Sequence, residues 1–315
     1  MKVLISAPYF LPVLNRFRPE FEARGLRIVE PQVQERLEEE DLIPLIGDVA
    51  GVVCGDDRFT ARVIDAAPEL RVISKWGTGI DSIDQLACRS RGIAVFNTPN
   101  AFSEPVADSV IGYVLCFARR LPWMNEAMKR GEWRKLDSIS LAECTLGIVG
   151  VGNVGRAVAR RASAFGMRLL GNDPISPPDN FLASTRMTMA TLPVLLAESD
   201  FVSVNCDLNP TSRGLIDTQA LSRMKLSAVL INSARGPIVV EQDLVSALER
   251  GTLAGAALDV FETEPLPAGS PLREMDQVLL APHNSNSSPA AWERVHRNTL
   301  KNLFEGLGVM RCESE

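Results

Sequence analysis

Short apolar runs alternate along most of the chain with stretches whose apolar positions recur every three or four residues. Over residues 1 to about 97, the runs 3–6, 26–29, 51–54, 71–74 and 93–96 are short, β-rich and bounded by Gly, Pro or charge, as strands are. Residues 60–67 and 84–91 between them read as helices, and the acidic run 35–41 reads as a solvated helix face. A turn at Asn97-Thr98-Pro99-Asn100 leads into a long helix from Ser103 to about Arg119. Beyond it, the runs ending at Gly150 and Asn172, and those at 201–205, 228–231, 255–258 and 278–281, predict a second set of strands. Helices are expected over 192–198, 241–250 and about 289–307, followed by a polar, mobile tail. Strand and helix in alternation imply parallel strands with crossover helices, hence an α/β class with two doubly wound parallel-sheet domains.

One junction in this rhythm carries chemistry. Leu146-Gly147-Ile148-Val149-Gly150-Val151-Gly152-Asn153-Val154-Gly155 passes from a strand-like run into a helix whose Val154, Ala157, Val158, Ala162 and Phe165 share a face. Gly150, Gly152 and Gly155 fit G-x-G-x-x-G: a tight turn, a close approach for a pyrophosphate, and tight helix–strand packing. The positive helix end then faces the phosphates. The next strand runs onto Asp173, where a dinucleotide fold places the acid that binds the adenosine ribose. That carboxylate would repel an additional ribose phosphate, and no Arg or Lys occurs between Asp173 and Arg186, so the expected cofactor is NAD.

Bulk properties exclude more than they suggest. The 315 residues allow two domains, and a net charge of −6 offers nothing to nucleic acid or an anionic membrane. Cys54, Cys88, Cys116, Cys144, Cys206 and Cys312 are scattered without a C-x-x-C, which argues against a metal site or disulfide framework and fits a reducing cytoplasm. The apolar N-terminal stretch 3–14 is interrupted by Pro8 and Pro12, so a first strand and loop suit it better than a signal peptide.

Ligands in such sheets bind beyond the carboxyl ends of the strands, which directs attention to Cys206 and Asp207, to 233–236, to 259–265 and to 282–286. His283 follows a strand and Pro282, whereas His296, the other histidine, lies in a charged helix and is expected to be exposed. Arg235 in Asn232-Ser233-Ala234-Arg235-Gly236 is either a surface arginine before a turn or a planar fork for a substrate carboxylate. Glu264, in Asp259-Val260-Phe261-Glu262-Thr263-Glu264-Pro265, is an ordinary loop acid unless it lies beside His283, where it would stabilise an imidazolium. An Arg, a His and an acid on successive strand ends beside a dinucleotide make hydride transfer coupled to proton transfer plausible. Trp123 and Trp133, in the charged segment 122–135, are either snorkelling surface residues or a subunit contact, the second reading being preferred.

Taken with Trp76-Gly77-Thr78-Gly79-Ile80-Asp81, Asn97-Thr98-Pro99 and Pro282-His283, these segments resemble the D-isomer-specific 2-hydroxyacid dehydrogenases. That family includes the D-3-phosphoglycerate dehydrogenases, and the feel is of one without a regulatory domain. The resemblance runs from Trp76 to the last helix. It implies catalysis by His283 as general acid/base, Glu264 as its partner and Arg235 as substrate ligand. It also implies that Asn153 and Val154 lie over the pyrophosphate, that Ala234 and Cys206 contact NAD through backbone, and that Asp259 holds the nicotinamide carboxamide. The amides of Gly77, Thr78 and Gly79 would receive the substrate carboxylate, with Lys75 and Trp76 flanking them. A Rossmann cofactor domain (99–285) would be inserted in a flavodoxin-like substrate domain (1–98 and 286–315), and an arm near 119–140 would form a homodimer.

Departures from the family pattern bear on the substrate. Asp207 stands where many members have proline, Asp108 where many have glutamate, and Ser285-Asn286 where glycines are common. Trp76 precedes the substrate loop where phosphoglycerate enzymes often have a small residue. Lys75 is read equally well as a phosphate contact, pointing to 3-phosphoglycerate, or as a solvated lysine. The expected function is an NAD-dependent dehydrogenase of a D-2-hydroxy acid. The alternative is an NADH-sensing, corepressor-like binding protein without turnover, since fold alone does not settle function. The complete Arg235, Glu264 and His283 set favours the enzyme.

Overall fold

The first apolar runs pair as a parallel sheet in the computed structural model, which describes residues 1–309. In chain order come β1 (Lys2–Ile5), α1 (Leu14–Glu22), β2 (Arg27–Val29), α2 (Glu39–Ile46), β3 (Val49–Cys54), α3 (Ala61–Asp65), β4 (Val72–Lys75), α4 (Gln85–Ser90) and β5 (Ala94–Phe96). The strands lie in the order β2-β1-β3-β4-β5, the flavodoxin-like winding. Helix starts obey local chemistry. Thr60 and Asp84 accept the backbone N–H groups of Val63 and Ala87 at the heads of α3 and α4.

Helix α1 accommodates a proline, and the acidic run departs from the expectation. Helix α1 forms despite Pro19 in its interior, because Leu14, Phe17 and Phe21 on one face are buried. The acidic run is not a continuous helix face: α2 begins only at Glu39, with Glu39, Glu40 and Asp41 in its first turn, where the helix dipole favours them. Asp41 in turn accepts the Glu38 N–H at 3.0 Å, closing a capping box.

The chain continues through α5 (Ser103–Arg119), α6 (Leu121–Lys129), β6 (Thr145–Val149), α7 (Asn153–Ala164), β7 (Arg168–Asn172), α8 (Asp179–Thr185), β8 (Thr188–Met189) and α9 (Leu192–Glu198). Then come β9 (Phe201–Val204), α10 (Thr218–Leu221), β10 (Val229–Asn232), α11 (Glu241–Glu249), β11 (Gly255–Leu258), β12 (Val278–Leu280) and finally α12 (Pro289–Gly306). The second sheet is parallel, in the order β12-β11-β10-β9-β6-β7-β8, and the winding reverses between β6 and β9. Contacts divide the chain into two units: Met1–Phe102 with the chain from Ser288 onward, and Ser103–Ser287. The tail beyond 309, including Cys312, lies outside the described residues. Among the described residues no helix is long and apolar enough to cross a membrane.

Helix α12 returns to cover β3 and β4. It packs so closely that a Cβ on Gly306 would lie 2.7 Å from the Val72 Cβ. This return also corrects the reading of His296. It is 3% exposed rather than solvated, because it faces the sheet side of α12 among Phe10, Phe17 and Trp76. Trp76 Nε1 donates to its Nδ1 at 3.0 Å, which requires that nitrogen to be unprotonated.

Burial holds the His296 pKa below its usual 6.5; the Arg16 and Arg297 charges act in the same sense, and Glu293 opposes them. A depressed folded-state value means that the unfolded chain binds more protons as pH falls through about 6.5. Stability should therefore fall between pH 7 and pH 5. The loss should be smaller in a His296→Gln variant, which keeps an acceptor but does not titrate there. Denaturant titrations at several pH values measure this, and parallel curves for the two proteins would refute it.

Candidate active site

The glycine-rich junction between β6 and α7 has the geometry of a dinucleotide cradle. Gly150 has φ +91°, and a Cβ there would lie 2.5 Å from the Cys206 nitrogen, so the turn requires glycine. A Cβ on Gly155 would meet the Gly150 oxygen at 2.0 Å, which is how closely α7 approaches the loop. Beside Gly152, by contrast, nothing lies within 4 Å, leaving room over the helix N-terminus. Gly152 and Asn153 are exposed there, and Val154 is half-buried. Asp173 at the end of β7 accepts the N–H groups of Val151 at 2.7 Å and Ile175 at 2.8 Å. A carboxylate has about four acceptor positions, so capacity remains for ribose hydroxyls. These residues fit a bound NAD. Cys206 presents its backbone to Gly150, while burial pushes its thiol up to about 11 and keeps it protonated.

At the ends of β10, β11 and β12 the three expected catalytic side chains stand on neighbouring loops. His283 Nδ1 lies 3.0 Å from Glu264 Oε2. The other Glu264 oxygen accepts the Phe261 N–H at 2.9 Å, which sets the carboxylate's orientation. Arg235 follows β10, and its Nη1 donates to the Ala234 carbonyl at 2.8 Å. The next residue decides how the loops meet. A Cβ on Gly236 would lie 1.9 Å from the Phe261 carbonyl carbon, so only glycine lets the Arg235 loop press against the Glu264 loop. Glu241 and Glu262 reinforce this by accepting each other's backbone N–H groups.

Residues 111–285 match the family model for the NAD binding domain of D-isomer specific 2-hydroxyacid dehydrogenases. The chain belongs to that family. It is 38% identical over 272 residues to a glyoxylate reductase of Thermofilum pendens, covering 84% of this chain and 80% of that protein. It is also 38% identical over 273 residues to human D-3-phosphoglycerate dehydrogenase, covering 86% of this chain and 50% of that protein, so it spans half of that relative's length. Among solved structures, an NAD-dependent formate dehydrogenase of Staphylococcus aureus in complex with NAD aligns with a TM-score of 0.86 at 26% identity, over 99% of this chain and 98% of that one. This member of the family is an NAD-dependent oxidoreductase, and the stretch that matches the NAD binding domain model lies in the unit 103–287.

The loop that bears His283 is held by Asp259. The Asp259 carboxylate accepts the N–H groups of Asn284 at 2.8 Å and Ser285 at 2.9 Å, and its carbonyl accepts the His283 N–H at 2.8 Å. These bonds hold His283 at φ +50°, a left-handed conformation costing on the order of 1 kcal/mol for a non-glycine residue. Tyr113 on α5 senses the same carboxylate: burial, then the Asp259 charge, pushes its phenol up to about 12. Asn232 was quoted in the sequence motif without a role. Buried at the end of β10, its side chain accepts the Ala234 N–H and donates to the Arg235 carbonyl, so it staples the arginine loop. The signal was available as an amide at the end of an otherwise apolar strand.

Of the expected substrate residues, Lys75 ends β4 and Trp76, Gly77, Thr78 and Gly79 follow it, in the other unit. Gly77 has φ +130°, and its carbonyl accepts the Thr98 N–H at 2.8 Å. Thr78 Oγ1 donates to the Thr98 carbonyl, and the Asn97 amide donates to the Thr78 carbonyl, so the Asn97-Thr98 turn shapes this loop. Trp76 is buried against Tyr9, Phe102, Trp292 and His296. Lys75 is not a solvated lysine: it is 3% exposed, with its ammonium 2.7 Å from Asp56. Asp108 pairs with Arg161 across α5 and α7, and the Asp207 carbonyl accepts the Ser212 hydroxyl within its own loop.

An Asp259→Asn substitution sets an amide NH₂ against one of two backbone donors. It should cost about 1.5–3 kcal/mol, the usual worth of a hydrogen bond to a charged group. Amide exchange at Asn284 and Ser285 should also accelerate relative to the rest of the unit. Denaturant melts and site-resolved hydrogen exchange measure both, and unchanged protection at these two amides would show that Asp259 does not hold the loop.

Proposed function

We propose that this chain interconverts a D-2-hydroxy acid and its 2-keto partner, with His283 as general acid/base, Glu264 as the group that orients it and Arg235 as a ligand of the substrate carboxylate and carbonyl. The observation that carries this reading is the His283–Glu264 pair at 3.0 Å, which joins the loops after β12 and β11, the latter next to the loop bearing Arg235. NAD, when bound, supplies the hydride acceptor for oxidation and the donor for reduction. During oxidation His283 Nε2 takes the hydroxyl proton while Nδ1 remains tied to Glu264; during reduction the same nitrogen returns a proton to the ketone oxygen. The Arg235 guanidinium offers the planar, paired donors that a carboxylate matches.

On this reading Asp173 binds the adenosine ribose, Asn153 and Val154 lie over the pyrophosphate, Ala234 and Cys206 contact the cofactor through backbone, and Asp259 holds the carboxamide. The amides of Gly77, Thr78 and Gly79 bind the substrate carboxylate, which makes the unit of residues 1–102 the substrate domain. The enzyme works as a homodimer in the cytoplasm. In support of a dimer, Trp133 is 90% exposed, and Leu121, Met128 and Ile139 nearby in sequence are exposed as well. Trp123 is committed within the unit instead, packed on Phe117 and donating to the Asp276 carbonyl.

Consumption of NADH with a panel of 2-keto acids, and its formation with D- and L-hydroxy acids, tests the reaction. A His283→Ala variant should lose about 10²- to 10⁴-fold in kcat, the usual range for a general acid/base, while binding NADH within a few-fold of the parent. Full turnover by the variant, or oxidation of L-isomers alone, would overturn the assignment.

A further inference from the structure

Beside the substrate loop, the cation that would greet a second anionic group is already neutralised. Lys75 ends β4, opposite Cys54 in the register of β3, and the Trp76 N–H donates to the Cys54 carbonyl at 2.8 Å. The Lys75 side chain is 4% exposed, and its Nζ lies 2.7 Å from Asp56 Oδ1. Asp56 itself is 37% exposed, so the member of the pair that meets solvent is the carboxylate. Its loop is held in place from below. The buried Asp57 carboxylate accepts the Ser6 hydroxyl at 2.6 Å, the Leu37 N–H at 2.6 Å and the Gly55 N–H at 3.1 Å. The loop's other cation, Arg58, sits near Glu38. Trp76 itself packs against the rings of Tyr9, Phe102, Trp292 and His296.

Resting on the dehydrogenase reading above, we propose that Asp56 is a specificity-determining residue. It holds Lys75 in a closed ion pair and presents a negative charge beside the substrate loop, so that the enzyme takes 2-keto acids with uncharged side chains and rejects those bearing a second anion, whether phosphate or carboxylate. A lysine paired in this way provides no free charge to a phosphate, and a buried cation does not leave its partner without penalty. An incoming dianion also meets the outward carboxylate, a like-charge contact that selects against the wrong ligand.

The test compares kcat/KM for NADH-dependent reduction of glyoxylate, 2-ketobutyrate and phenylpyruvate with that for 3-phosphohydroxypyruvate and oxaloacetate. The full chain, Asp56→Asn and Lys75→Gln are assayed side by side. The parent should favour the singly charged acids by about 100-fold or more, two decades being the scale of a 2.7 kcal/mol difference. Asp56→Asn should shift the ratio toward the doubly charged acids by at least about tenfold. Lys75→Gln, which leaves the Asp56 charge uncompensated, should keep or widen the parent's ratio, so the proposal stays open to refutation even if the aspartate variant does not fold. Preference of the parent for 3-phosphohydroxypyruvate, an unmoved ratio in Asp56→Asn, or a shift of Lys75→Gln toward the doubly charged acids would each overturn the proposal while leaving the dehydrogenase intact. No turnover of any acid by the parent, with NADH bound, would overturn the dehydrogenase reading and this proposal together.

Discussion

The Asp259 carboxylate is the constraint on which the candidate active site depends. A histidine in a left-handed backbone conformation, at the end of a short strand, would relax unless its surroundings over-determined it. Asp259 does this with three acceptor contacts to successive residues, His283, Asn284 and Ser285. It is anchored in turn, its own N–H donating to the Asn232 carbonyl on the neighbouring strand. Because burial strips away competing water, these charge-assisted bonds are stronger than their exposed equivalents. The imidazole thus arrives beside Glu264 by backbone geometry, and the ring contact itself completes an arrangement already set.

Close backbone approaches do comparable work elsewhere in the same unit. Gly236 lets the arginine loop touch the glutamate loop, and Gly155 lets α7 press on the turn at Gly150. In both places the permitted distance is shorter than any side chain allows, so specificity of position comes from the absence of a Cβ. The glycine-rich turn after β6 and the loops that carry Arg235 and Glu264 are therefore built by the same device. Parallel strands deliver both to their carboxyl ends.

In the other unit, a buried carboxylate organises a different set of loops. Asp57 gathers the segments after β1 and β3 and the chain before α2, which leaves its neighbour Asp56 facing outward beside Lys75. The aromatic cluster around Trp76 takes His296 from α12, so the returning helix completes the core at the loop's base. A charge pair on one side and aromatic rings on the other give this loop two chemically distinct flanks.

Much of this was legible in the residues themselves, because strand and helix periods, caps and the glycine spacing are local properties. Apart from the two-residue β8, the strands of both sheets, the long helix at 103–119 and the helix at 192–198 appear where apolar periodicity places them. The Arg235, Glu264 and His283 loops follow strands as expected for an α/β sheet. Periodicity does not report partners distant in the chain, and there the tertiary structure decided. A helix rich in charge reads as exposed, yet His296 is buried because α12 packs over a sheet formed more than two hundred residues earlier. A lysine at a strand end reads as free, yet Asp56, from the adjacent strand's loop, takes its charge. The chain's local pattern determined the fold class, the family and the cofactor; long-range burial and pairing decided which of its charged and titratable side chains are buried and which are paired.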